Sequence, residues 1–238
     1  MTGQEVPQEI TARLTADALI KSSLKSVIWF GSVRNNQDVH ERSDCDLQVV
    51  LDEPSYELTV AVNTILEDYP SVDLSIMYMQ DIYNHTGDVI FHDGTKSLFF
   101  MYVLAVGEIL YGDNVYAGIV KNLSLDDIRP SLLVTIREYL SRLRVMAIQQ
   151  TNDTLGFKKY SLKLFKDTLV YIGEEKPEAI SAITNDTAKE AIQHIYPFGD
   201  GSTKALDDIT NYDRNYTREE MAYLLTDYEN IIERLCNE

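Results

Sequence analysis

Val27-Ile28-Trp29-Phe30-Gly31-Ser32 is followed, after eleven intervening residues, by Asp44-Cys45-Asp46-Leu47-Gln48-Val49-Val50-Leu51. The first run is apolar and halted by Gly-Ser, the pattern of a buried strand ending in a tight turn. From Asp46 to Leu51 apolar and polar residues alternate until Asp52-Glu53-Pro54 closes the run, and Val72 to Tyr78 alternates again. Between them Tyr56 to Asp68 reads as a helix. Upstream, Ile10, Leu14, Ala18 and Leu24 recur at helical spacing, so one opening amphipathic helix is expected from about Pro7 to Leu24. Working outward from the Gly-Ser turn therefore gives an α+β chain with a small mixed sheet and flanking helices.

Past about residue 120 the strand signals fade. Ser124 with Asp126 and Asp127 marks a helix start, and Leu132 to Gln150, Phe157 to Ile172 and Pro177 to Tyr196 read as helices. Thr217-Arg218-Glu219-Glu220 is a capping box that opens a last helix to about Cys236, and Phe198 to Asn215, rich in Gly, Asp and Asn, reads as a long loop. The expected division is 1–118 as the sheet-bearing domain and 119–238 as a helical bundle lobe.

Composition narrows the function. The chain has 238 residues, 45% of them hydrophobic, enough for a real core, and a formal net charge of −17. Such a balance repels nucleic acid over most of the surface and argues against a long nucleic-acid partner. The charge is uneven: residues 1–110 hold six basic and seventeen acidic residues, whereas 128–166 hold eight basic against two acidic. The two cysteines, Cys45 and Cys236, lie far apart with no Cys-x-x-Cys, so neither a disulfide framework nor a thiolate zinc site is indicated. His40, His85, His92 and His194 lack metal-ligand spacing. No phosphate-binding P-loop and no Gly-x-Ser-x-Gly elbow occurs. The amino terminus is polar and acidic and no long apolar run appears, so cytoplasmic residence without membrane association is expected.

The chemistry concentrates on three aspartates. Within a strand, the i, i+2 spacing of Asp44 and Asp46 sends both carboxylates to one face and Cys45 and Leu47 to the other. Asp73, one position into the next strand, shares its face with Ser75 and Met77, while Val72, Leu74 and Ile76 take the apolar face. A neighbouring strand can thus deliver a third carboxylate. Three converging like charges call for a hard cation such as Mg²⁺. Beside them, Gly31 lets the backbone approach a ligand closely, and the Ser32 hydroxyl with adjacent N–H groups suits phosphate oxygens. Lys159, Lys163 and Lys166 fall on one helical face. Of these, Lys159 and Lys163 are the candidate phosphate contacts.

These residues resemble the hallmark of the DNA polymerase β-like nucleotidyltransferase superfamily: a Gly-Ser turn (Gly31-Ser32), a spacer, an Asp-x-Asp strand (Asp44-x-Asp46 within Ser43-Asp-Cys-Asp-Leu) and a third acidic residue on a following strand (Asp73 within Val-Asp-Leu). The likeness spans about residues 20–115, and Leu110-Tyr111-Gly112 is similar to the segment that closes this domain in small bacterial members. Val33-Arg34-Asn35-Asn36-Gln37 departs from it by carrying no second glycine. The resemblance implies that Asp44 and Asp46 are shared ligands of two Mg²⁺ ions, that Asp73 is a ligand or base on the acceptor side, and that Gly31 and Ser32 bind the nucleoside triphosphate. The implied activity is transfer of a nucleoside monophosphate, with release of pyrophosphate, to a hydroxyl acceptor such as an aminoglycoside-type antibiotic. Two alternatives stand beside it: a protein- or RNA-modifying nucleotidyltransferase of a toxin–antitoxin or defence system, and a non-catalytic nucleotidyltransferase-like regulatory or binding protein.

Overall fold

The computed structural model describes residues 5–31, 34, 45–83, 98–149 and 154–237. The chain divides into two units, Met1–Ser124 and Leu125–Glu238. The first reaches past residue 118 because a short helix at Ala117–Val120 packs on the one at Leu98–Ala105, and Tyr102 donates its hydroxyl to the Val120 and Leu123 carbonyls at 3.0 and 2.7 Å.

Among the described residues, the first unit is built on a four-stranded mixed sheet. Its strands are β1 (Leu24–Phe30), β2 (Cys45–Leu51), β3 (Val72–Tyr78) and β4 (Glu108–Gly112), in the spatial order β3-β2-β1-β4. β1 pairs antiparallel with β2 and β4, whereas β2 and β3 run parallel. A parallel pair needs a crossover, and α3 (Tyr56–Leu66) supplies it. One face of the sheet carries Val27, Trp29, Leu47, Val49 and Leu51, all buried with Ile10, Leu14, Leu58 and Val62 of the covering helices. Val72, Leu74 and Ile76 pack against that same core, so the alternation expected for β3 is realised. Each fully buried side chain of this core contributes about 1.5–3 kcal/mol on leaving water, and the partly buried β3 residues contribute less.

The expected single opening helix is two helices, α1 (Val6–Ala16) and α2 (Ala18–Ser23). Asp17 breaks the run: its backbone is extended and its carboxylate accepts from the Leu19 and Ile20 N–H groups at 2.9 and 3.0 Å, capping α2. Leu24 then belongs to β1 rather than to a helix. At the sheet's edge, Leu110-Tyr111-Gly112 forms most of β4, and Gly112 is required there. Its φ is +73°, and a Cβ would sit 1.8 Å from the Lys25 carbonyl.

The second unit is helical. After the helices α4 (Met79–Tyr83), α5 (Leu98–Ala105) and α6 (Ala117–Val120) of the first unit come α7 (Leu125–Ile148), α8 (Thr154–Tyr171), α9 (Asn185–Ile195), α10 (Asp200–Asp207) and α11 (Arg218–Asn237). On α7 the buried Ile128, Leu132, Ile136, Leu140 and Leu143 make one stripe, and α7 packs on α8 and α11. Phe165 of α8 meets Tyr228 of α11 edge to face at 5.4 Å.

Two expectations are corrected in this unit. Pro177 to Tyr196 is not one helix: a 3-10 turn at Pro177–Ala182 precedes α9, because Thr184 is extended and caps α9 by accepting from the Thr187 N–H. The stretch from Phe198 to Asn215 is not all loop, since α10 lies inside it with Ser202, Ala205 and Leu206 buried. Among the described residues, no helix is long and apolar enough to cross a membrane.

Candidate functional site

The parallel register of β2 and β3 places Asp46 directly opposite Asp73. Residues so paired project to the same face of a sheet. The two carboxylates therefore stand side by side on the face opposite the main hydrophobic core, Asp46 half-buried and Asp73 exposed. Cys45 faces the core and is buried; burial, reinforced by the Asp46 carboxylate, pushes its thiol up to about 12, which keeps it protonated.

Gly31 completes this corner. β1 and β2 pair Phe30 with Asp46, so the turn after Phe30 begins beside the carboxylate. Gly31 adopts φ +84°, and a Cβ placed there would lie 1.9 Å from Asp46 Oδ2. Only a residue without a side chain fits against Asp46 in this conformation. Gly31, Asp46 and Asp73 thus meet at one end of the sheet. Ser32 and Asp44, the other two expected members, lie outside the described residues. Among the described residues, no set of three or more His, Cys, Asp or Glu side chains gathers as a metal cage.

Behind the carboxylates the same face is closed. Ile28, Gln48 and Val50 are fully buried, and Phe30 meets Phe100 of α5 edge to face at 5.5 Å. Gln48, two residues beyond Asp46 on its face, donates Nε2 to the Ser75 carbonyl at 3.1 Å, while its Oε1 is buried with no hydrogen-bond partner among the described residues. One further residue stands out: Arg34 donates Nη1 at 2.7 Å to the carbonyl of Val106, the residue after α5. The signal for it in the sequence is its place as the first cation after Gly-Ser. The signal for Gln48 is a polar residue in a run otherwise apolar from Leu47 to Leu51.

Lys159 and Lys163 belong to α8 of the second unit, where Lys159 is half-buried and Lys163 exposed, its Nζ 5.8 Å from the Tyr160 ring centroid. The preceding Lys158 has a different role. It is fully buried, and its ammonium donates to backbone carbonyls of the segment after α10. Asp167, one helical turn past Lys163, is buried at 5% exposure, and burial raises its carboxyl to about 7 against the opposing pull of Lys163, Lys166 and the Tyr139 hydroxyl. No protein-family model matches the sequence, and neither does any curated protein.

Proposed function

We propose that this chain is a metal-dependent nucleotidyltransferase. It moves a nucleoside monophosphate from a triphosphate to a hydroxyl of a small acceptor, of the aminoglycoside type, and releases pyrophosphate. The observation that carries this reading is the in-register pair Asp46–Asp73, with the left-handed Gly31 turn pressed against the Asp46 carboxylate.

The donor set fits magnesium, a hard ion ordinarily held by one or two carboxylates together with substrate phosphates. Asp46 and Asp73, with Asp44, would hold it, and when bound it supplies charge neutralisation at the entering and departing oxygens. The chain's own groups do the rest. Gly31, held against Asp46, opens the turn whose N–H groups, with the Ser32 hydroxyl, donate to phosphate oxygens. Asp73, the exposed member of the pair, takes the proton of the acceptor hydroxyl. That oxygen then forms its bond to the α-phosphorus in line, as the bond from the α-phosphorus to the pyrophosphate oxygen breaks and its electron pair leaves with pyrophosphate. The acidic first half of the chain attracts a polycationic acceptor and repels a polyanionic one.

Incubation with each labelled triphosphate, magnesium and a panel of hydroxyl acceptors tests the reading. Transfer by the natural sequence, and a loss of about 10²-fold or more in Asp46→Asn and Asp73→Asn, is the expected result. Transfer undiminished in both variants would remove the assignment.

A further inference from the structure

Lys158 of α8 is a lysine with no exposed surface. Its Nζ donates to three backbone carbonyls: Asp208 at 2.9 Å, Arg214 at 2.7 Å, and Asn211. The three acceptors are spaced by three residues each along the segment that joins α10 to α11. Turn bonds from Asn211 N–H to the Asp208 carbonyl and from Arg214 N–H to the Asn211 carbonyl wind that segment so that the carbonyls converge. A protonated lysine has three donors, and here three acceptors meet them. The Tyr216 ring flanks the ammonium, its centroid 4.5 Å from Nζ. Oxygen dipoles and an aromatic face around a dehydrated positive charge are the coordination of a small monovalent cation, not of an ordinary surface lysine.

The charges around this cage are balanced. Arg214 pairs with Asp208 at 2.8 Å and with Glu220 at 2.5 Å. Burial, then Arg214, pushes Lys158 down to about 8 while Asp208 and Glu220 pull it up, so the group carries its charge at neutral pH. Further hydrogen bonds tie the segment, from Thr154 to Asn215 at 2.7 Å, Asn185 to Tyr212 at 2.9 Å, Thr210 to Asp186 at 3.2 Å and Tyr216 to the Ala205 carbonyl at 2.7 Å, and Ile209 is fully buried.

The geometry points to a monovalent-cation site formed by the carbonyls of Asp208, Asn211 and Arg214, whose resident cation is the tethered ammonium of Lys158 and whose occupancy holds the 208–216 segment in shape. A free ion of similar size, ammonium, whose fourth N–H takes the place of the bond to Cε, is the ligand class the cage takes when the tether is cut. Nothing in this depends on nucleotidyl transfer.

Hydrogen–deuterium exchange of the 208–216 segment in full-length Lys158→Ala tests it. In sodium chloride the segment should exchange about tenfold faster or more than in the natural sequence. Ammonium chloride should restore most of the protection, whereas tetramethylammonium chloride at equal concentration, with no N–H donor and too large for the cage, should restore none. Unchanged exchange in the variant, or equal effects of the two salts, would overturn the assignment. Should Lys158→Ala not fold, the natural sequence decides. A lysine ammonium with hydrogens protected enough for its ¹H–¹⁵N signal to be seen by NMR, lost in Lys158→Arg, supports the cage; the absence of such a signal overturns it.

Discussion

Gly31 and Asp46 exclude a side chain from one another's space, and that mutual dependence is measurable. Gly31→Ala forces an L residue to φ +84° and drives a methyl into Asp46 Oδ2. The backbone penalty alone is about 1–2 kcal/mol, and displacement of the carboxylate adds to it. Trp29, the chain's one tryptophan, is buried in β1 two residues away, so its fluorescence reports unfolding of this unit in urea. Gly31→Ala is expected to lose about 2 kcal/mol or more, and Gly31→Ala/Asp46→Ala to lose less than the two single changes combined, by about 1 kcal/mol. Strict additivity would mean that the two groups do not touch. Asp167 is the second residue whose environment makes a prediction. Its folded carboxyl holds a proton up to about pH 7, while an unfolded aspartate releases it near 4. The folded state therefore binds more protons between those values, and stability contributed by this group is full below pH 4 and falls as pH rises to 7. The difference in thermal midpoint between Asp167→Asn and the natural sequence should shift in favour of the variant from pH 5 to pH 8. A difference that is flat with pH would show that Asp167 is not held neutral by burial.

At the scale of elements, stability of the helical unit depends on where helices start. The Thr217 N–H donates to Glu220 Oε2 at 2.8 Å, and the Glu220 N–H donates to Thr217 Oγ1 at 3.2 Å, the reciprocal cap of α11. Thr217→Ala is expected to cost about 1 kcal/mol, read as a lowered thermal midpoint, and Thr217→Ser to cost far less. This box is legible because both partners are local and their residue types are specific to the motif. The span of β3 is legible for the same kind of reason: Val72 to Ile76 alternates strictly, Met77 and Tyr78 continue the run, and the strand has those bounds. Asp17 was harder to place, since helical periodicity continues across it and only its capping bonds reveal the break between α1 and α2. α10 was hidden by composition. Gly199, Asp200, Gly201 and Asp207 carry turn chemistry, and burial of Ala205 and Leu206 against the rest of the unit overrides it. At the candidate site, alternation alone put Asp46 and Asp73 each on a chosen face of its own strand. Their pairing as direct neighbours depends on parallel register, which no local pattern encodes. The burial of Lys158 beside the half-buried Lys159 is likewise unreadable, because its partners are carbonyls about fifty residues away.

The whole molecule carries −17, and this charge bears on how an anion reaches it. A free triphosphate meets long-range repulsion, and the two carboxylates at the Gly31 corner add to it at short range. If the proposed activity holds, divalent metal decides whether a triphosphate binds at all. Thermal unfolding should shift upward with triphosphate only when magnesium is present, by several degrees when the ligand is about 100-fold above its dissociation constant, and chelation should abolish the shift. The salt dependence separates this mode from nucleic-acid binding. A protein that neutralises many phosphates loses about 10³–10⁵ in affinity between 50 and 200 mM salt, through counterion release. Here the net charge opposes the ligand, so screening removes repulsion as much as attraction. Affinity for the magnesium triphosphate should change by less than about tenfold over the same range. Fluorescence anisotropy with a labelled triphosphate and with a labelled single-stranded RNA of about twenty nucleotides makes the comparison directly, the RNA showing no saturable binding at 50 mM salt. Tight RNA binding that weakens steeply with salt would instead assign the basic stretch between residues 128 and 166 to a polynucleotide track, and the acceptor would then be a nucleic acid rather than a small molecule.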